Sequence, residues 1–391
     1  MEKKRKVHSL TGRITPQMMK DAFKAVKRNR GACGIDKVSI QLFENQLEQN
    51  LDALMKKLKG RSYAPLPLRR AYIPKGKNQR RPLGIPSVRD RIAQEVIRRL
   101  LEPIFERKFH NDSFGFRRRR NCHKAVERVI ELCQKGYIYV MDADIAAFFD
   151  NIPHSLIMKA VAEEVADGNI LSIVEKFLTS GVMEDGKFVP TRKGTPQGGV
   201  ISPLLANIVL NYLDWHLEKH GYHFTRYADD FVVLCQNKNE AERALNLVKD
   251  FLAKELSLSL SIEKTKVTTY HKGFEFLGFF ISSRSTKIRT KSVEKFKDKV
   301  KELTIRSHNL DQEVIKKLNQ VIRGTANYFA TSFSNCYHLF NKTDMWIRRR
   351  LRCMKYKSIS RRHNLSMRTR HIHRLGLLSL ADFCPNVKER K

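Results

Sequence analysis

No two of the seven cysteines share a Cys-x-x-Cys spacing; positions 33, 122, 133, 235, 336, 353 and 384 are scattered singly through 391 residues. That excludes a zinc ribbon and a disulfide framework, and leaves reduced thiols as the expectation. No apolar run approaches the roughly 18–20 residues of a spanning helix, so no membrane partner is expected. The basic start, Met1 to Val7, has no apolar stretch behind it and does not read as a secretory signal. Internal repeats and low-complexity linkers are missing too, which removes solenoids and tethered modules. Acid is scarce, with 40 Asp+Glu against 75 Lys+Arg and a formal charge of +35.

A hydrophobic content of 41% supports a globular protein with one large core or two to three domains. The charge excess points to a polyanion partner. The chain can be arranged around Tyr227-Ala228-Asp229-Asp230. Aromatic and β-branched residues flank this acidic step, which predicts strand, tight turn, strand over 223–235. Adjacent carboxylates at a turn repel each other unless a cation neutralises them. A second strand, Ile138 to Asp144, also ends in acid. Its alternation puts Asp142 and Asp144 on one face, so periodicity does not choose between them.

Thr15 and Pro16 predict the cap and first position of a helix over 15–30, with a further helix to about Lys59. Residues 69–91 hold eight Lys/Arg and one acid, with short strands at Ala71–Ile73 and Pro82–Ile85 forming a phosphate-contacting surface. Ser87 to Phe109 reads as a long helix with Val88, Ile92, Val96, Leu100 and Ile104 on one stripe. Phe114-Gly115-Phe116-Arg117 mixes aromatics and charge, which suits stacked bases and phosphates. Gln197-Gly198-Gly199 precedes Ser202, an expected helix cap, with Pro203 at the first position and Gly221 closing the helix. Further expectations are a helix near 239–256, a strand from Leu258 to Tyr270, and a buried hairpin strand over Phe274–Ile281. Beyond Thr290 the pattern is helical, and residues 341–391 carry 15 Lys/Arg against 3 Asp/Glu.

Carboxylates gathered from two strands can hold a pair of Mg²⁺ ions, which suits in-line attack on a nucleotide phosphate. Strands and helices alternate, with the acids on antiparallel strands, so the expected fold is an α+β palm. In that order, Asp144 with Phe149, Gln197-Gly198-Gly199 before Ser202-Pro203, and Tyr227-Ala228-Asp229-Asp230 resemble the motifs of a reverse transcriptase. More narrowly, the chain resembles bacterial group II intron-encoded reverse transcriptases, or maturases, of the form without a paired-cysteine endonuclease. Ile73 to Pro86, Phe114 to Arg117, Leu318 to Phe329 and Trp346 to Leu351 carry the rest of the match, over roughly 15–355.

The resemblance implies a right-hand polymerase. Fingers and a ferredoxin-like palm would occupy 1–290, a helical thumb 291–355 and a basic tail 356–391. It implies Asp144, Asp229 and Asp230 as holders of two Mg²⁺ ions, with Mn²⁺ a substitute, and Lys264 as the acid that protonates pyrophosphate. Lys75 and Arg81 would bind the triphosphate, Phe149 would exclude a 2′-OH, and Gln197 would line the nucleotide or template. Arg117, Phe276, Leu277 and Gly278 would contact primer or template, and Arg348, Arg349 and Arg350 a folded RNA. Implied partners are an RNA template, a DNA or RNA primer, dNTPs and a group II intron RNA, in the bacterial cytoplasm near the nucleoid. Three readings follow: a reverse transcriptase that also assists splicing, a pure RNA-binding splicing cofactor, or a polymerase of repair or defence without an intron. The complete carboxylate set and Phe149 favour a polymerase over a binder.

Overall fold

In the computed structural model, which describes residues 6–74 and 80–385, the chain divides into two compact units between Val267 and Thr268. Among the described residues no helix is long and apolar enough to cross a membrane.

The first unit opens with helix Pro16–Arg28, where the Thr15 hydroxyl accepts the Met18 N–H. Its apolar stripe buries Met19, Ala22, Phe23 and Val26. The single helix expected up to Lys59 is two, Ile40–Glu44 under a Ser39 cap and Leu47–Lys59. Helix Val88–Phe105 starts at a Ser87 cap and packs against helices Pro16–Arg28, Leu47–Lys59 and Ser202–Lys219. It buries not only Val88, Ile92, Val96 and Leu100 but also Asp90, Gln94 and Glu95. Those polar groups have partners, as buried polar groups must. Asp90 accepts from Tyr63 Oη and the Leu66 amide, and Gln94 Oε1 accepts from the Val200 amide.

Two sheets position the cleft. Strands β1 (Leu68–Pro74) and β2 (Arg80–Ile85) pair antiparallel, with Ile73 opposite Arg81. After β3 (Tyr139–Asp144) come β4 (Val182–Glu184) and β5 (Lys187–Val189), which extend the first sheet in the order β2-β1-β4-β5. The second sheet joins β3 to β6 (His223–Tyr227), β7 (Asp230–Cys235) and β8 (Lys266–Thr269) in the order β6-β7-β3-β8. The β3–β7 and β6–β7 pairs are antiparallel. Helices Cys122–Gln134, Ser202–Lys219 and Lys238–Glu255 pack on this sheet, giving the expected α+β palm. The strand expected from Leu258 to Tyr270 is cut to β8 plus a bridge between Ile145 and Leu260. The Ser261 carbonyl accepts from the Lys264 and Thr265 amides and turns the chain before β8 begins.

The second unit holds a small sheet, β11-β10-β9, and three longer helices, Thr290–Leu303, Gln312–Phe329 and Tyr337–Tyr356. The expected single strand over 274–281 is a hairpin of β9 (Phe274–Phe276) and β10 (Phe279–Ile281), closed by Leu277 and Gly278 at φ 47° and 85°. Two successive positive φ values are what a two-residue hairpin turn requires, although leucine enters that region rarely. Strand β11 (Thr286–Ile288) completes the sheet. The segment after Tyr356 is docked: Asp344 accepts from Ser379 Oγ and the Leu380 and Ala381 amides, and Asn319 brackets Gly376 and Leu378.

Candidate active site

In the β6–β7 hairpin Tyr227 pairs with Asp230, which leaves Ala228-Asp229 as a two-residue loop. Ala228 sits at φ 59°, a strained value for a residue with a Cβ. Two contacts hold it there. Arg226 Nη1 donates to the Ala228 carbonyl at 2.9 Å. Gly115 lies so close that a Cβ on it would stand 2.3 Å from the Ala228 nitrogen, so only glycine fits. Arg226 itself is fully buried and completes its set of donations on Asp214, Asn207 and Ser113.

Strand β3 ends opposite this turn, with Asp144 in register with Asp230. Long-range pairing thus separates the two acids that periodicity left equal. Asp142 faces Val232 inside the sheet and lies 3.7 Å from Lys266, whereas Asp144 stands at the strand end. The Lys264 ammonium is 2.5 Å from Asp144 Oδ2. Burial, reinforced by the Asp144 charge, pushes the Asp229 carboxyl above the usual carboxylate range, with Arg81 opposing the shift. Repelling carboxylates, one of them already covered by an ammonium, make a place for cationic charge. Among the described residues no three His, Cys, Asp or Glu side chains form a ready-made metal cage. A hard cation needs none here, because Mg²⁺ typically takes one or two carboxylates and fills its shell with water and substrate phosphate. The oxygen donors present fit such an ion.

Beyond β3, Ala147 at φ 44° turns the chain into the short helix Phe148–Asn151. Phe148 is buried in the core, while Phe149 is half-buried and lines the cleft. The Phe149 carbonyl accepts the Thr195 amide at 2.7 Å, and Gln197 Nε2 donates to Asp150 at 3.2 Å. On the other side the Gln197 carbonyl accepts the Gly84 amide at 2.9 Å. Gly198, at φ 115°, has no room for a Cβ, which would lie 2.7 Å from the Gly84 oxygen. The glycine loop thus bridges β2 and the Phe149 helix. Ser202 is not the expected cap: it is the first helical residue, and its hydroxyl donates to the Pro196 carbonyl, closing the same loop. The result is an open cavity of about 770 Å³ lined by Arg81, Asp144, Phe149, Gln197, Asp229 and Lys264.

Other expected site residues are placed elsewhere. Lys75 lies outside the described residues. Arg117 is engaged within the protein: its buried guanidinium forms a fork with Glu106 and donates to the His110 and Ser113 carbonyls. Phe276 is 1% exposed and belongs to the core of the second unit, so only Leu277 and Gly278 stand at the turn. Arg350 braces a neighbouring helix end through Thr304 Oγ1 and the Thr304 carbonyl, lying 5.6 Å over the Trp346 ring. Arg349 is exposed and Arg348 half-exposed. Arg226 and Asp214 went unnoticed in the sequence; an arginine inside a β-branched and aromatic strand, next to the acidic turn, was the available signal.

The model of the reverse transcriptase (RNA-dependent DNA polymerase) family matches residues 73–281, and that of the group II intron, maturase-specific domain matches 293–376. Protein YkfC of Escherichia coli is 34% identical over 303 residues, covering 67% of this chain and 80% of that protein. The group II intron-encoded protein LtrA of Lactococcus lactis is 29% identical over 341 residues, covering 71% of this chain and only 55% of LtrA. Among solved structures, telomerase from Candida albicans, in complex with a fragment of telomeric RNA, aligns at a TM-score of 0.48 and 14% identity, covering 81% of this chain and 64% of that one.

Proposed function

The chain belongs to the reverse transcriptase (RNA-dependent DNA polymerase) family, and from that premise we propose how its own residues carry the reaction. The observation that carries the reading is the Asp144–Asp230 register beside the clamped Ala228-Asp229 turn, with Asp144 and Asp229 lining one cavity with Phe149 and Arg81. Asp144, Asp229 and Asp230 would hold two Mg²⁺ ions, or Mn²⁺ in their place. When bound, such ions activate the primer hydroxyl and neutralise charge on the triphosphate during in-line displacement. Arg81 offers a guanidinium to the triphosphate, with Lys75 its expected companion. Lys264 rests on Asp144 in the free protein. Once that carboxylate is otherwise engaged, its ammonium is free to turn to the departing pyrophosphate and protonate it. Gln197 keeps the glycine loop against Asp150 and so shapes the nucleotide side of the cleft. The first unit supplies fingers and palm, and the helices of the second unit the thumb.

Phe149 sets sugar choice in this reading. Its ring is half-exposed to the cleft while its backbone is fixed by Thr195, so it can stand under the sugar without moving. Phe149→Val is expected to raise kcat/KM for ribonucleotides by at least tenfold with little change for deoxynucleotides, since only the space near C2′ opens. Unchanged discrimination on a primed RNA template would make Phe149 a packing residue.

A second activity rests on the maturase-specific match over 293–376. We propose that the second unit holds a group II intron RNA and assists its splicing, through exposed cations and aromatics suited to folded RNA. Polymerisation needs Asp229 and RNA folding does not. Splicing of a cognate intron should survive Asp229→Asn and fall when Arg348 and Arg349 are both changed to Ala, leaving the bracing Arg350 intact. Normal splicing by the double arginine variant would remove this part of the proposal.

A further inference from the structure

The roles above leave one ring in the cleft unused. Phe116 lines the same cavity as Asp144, Asp229 and Phe149, and it is 55% exposed. Its φ of 57° lies in the left-handed region, which bulky side chains rarely enter. An exposed ring offers little packing to offset that strain, so the surroundings must impose it. They do so through four contacts. The Phe114 amide donates to the Arg226 carbonyl at 2.8 Å, and Asn207 Nδ2 donates to the Gly115 carbonyl at 2.8 Å. The next residue, Arg117, is fixed by its fork onto Glu106. Gly115 is pressed onto Ala228 itself. The loop is thereby fixed to the catalytic turn, and the Tyr227 ring lies beside Phe116 at a centroid distance of 6.5 Å.

We propose that Phe116 is a stacking platform for a nucleobase at the polymerisation site, a role that rests on the polymerase reading of this cleft. Strain held in place around an exposed group marks a site where display outweighs local stability. A ring face is suited to every base alike, which matches a template-directed enzyme that must accept all four. The shared chemistry is a base's π-face, supplied either by the incoming nucleotide or by the template–primer end.

The test is single-nucleotide incorporation by the full chain on a primed RNA template, with KM for the dNTP, Kd for template–primer and Tm measured for Phe116→Ala, Gly, Leu, Tyr and Trp. Ala and Gly should raise KM or Kd by on the order of ten- to a hundredfold, the size of base–aromatic stacking losses. Tyr and Trp should restore binding and Leu should not, since it keeps apolar bulk but no ring. Phe116→Gly should melt no lower than wild type, because glycine adopts the left-handed φ freely. A raised KM with unchanged Kd assigns the incoming base, and the converse assigns the template–primer end. If Ala and Leu behave as wild type, or if Ala and Gly lose Tm and activity together without rescue by Tyr or Trp, the stacking role is overturned. Wild-type protein that fails to extend overturns the polymerase reading along with it, whereas extension indifferent to Phe116 overturns stacking alone.

Discussion

Asp229→Asn will lower primer extension by about two to three orders of magnitude, the scale for losing one preorganised electrostatic contact at a reacting phosphate, in a protein that melts no lower than wild type. The two halves of that expectation share one cause. Burial and the neighbouring Asp144 charge hold the Asp229 carboxyl above its ordinary range. A carboxyl whose folded pKa exceeds its unfolded value favours the fold while protonated, and that contribution is lost as pH rises through the folded pKa. At neutral pH the ionised side chain therefore works against the metal-free fold, and Asn removes the repulsion while keeping the shape. Extension needs the ionised form, which a bound Mg²⁺ would favour, so the raised pKa governs the melting of the metal-free protein and not the extension rate. Thermal melting in metal-free buffer, beside extension of a primed RNA template, checks both. Near wild-type extension by the Asn variant would show that Asp229 has no part in the chemistry.

Arg226→Met should destabilise the first unit by roughly 3–5 kcal/mol, the usual effect of leaving a buried charge without its partner. The Arg226 and Asp214 side chains are both 0% exposed and joined by contacts of 2.5 and 2.7 Å. Their mutual attraction is only part of the arrangement. The same guanidinium reaches the Ala228 carbonyl, so it couples helix Ser202–Lys219 to the catalytic turn. A double variant, Arg226→Met with Asp214→Leu, removes the orphaned charge and should recover much of the stability. It should not recover extension, because the donor that fixes Ala228 stays missing. Denaturant unfolding of both variants, read against their extension rates, separates the two effects. Full activity in the refolded double variant would mean the turn needs no such anchor.

Where the governing contacts are local, the sequence was readable. Thr15 with Pro16 placed a helix start because capping is settled within four residues. The strand–turn–strand around Ala228-Asp229 followed from the residues flanking it, and the α+β order from the alternation of elements. Reading failed where a partner far along the chain decides the outcome. Arg117 reads as a cation available to nucleic acid, but its guanidinium is buried and forks onto a half-buried Glu106 eleven residues back. Ser202 had the residue type of a cap, yet loop closure onto Pro196 claimed its hydroxyl. The Leu277-Gly278 turn was hidden inside an apolar run because leucine is not a residue expected at positive φ. Asp142 and Asp144 could not be separated by a period of two, and only the register against β7 distinguishes them.

The central claim is tested most directly by single-turnover incorporation of one nucleotide by the full chain on a DNA primer annealed to RNA, with Mg²⁺ titrated upward from EDTA. The predicted result is no incorporation in EDTA, a saturable rise with Mg²⁺, and a strong preference for dNTP over the matching ribonucleotide. A primer left unextended at every Mg²⁺ or Mn²⁺ concentration, or extended equally well in EDTA, would contradict it.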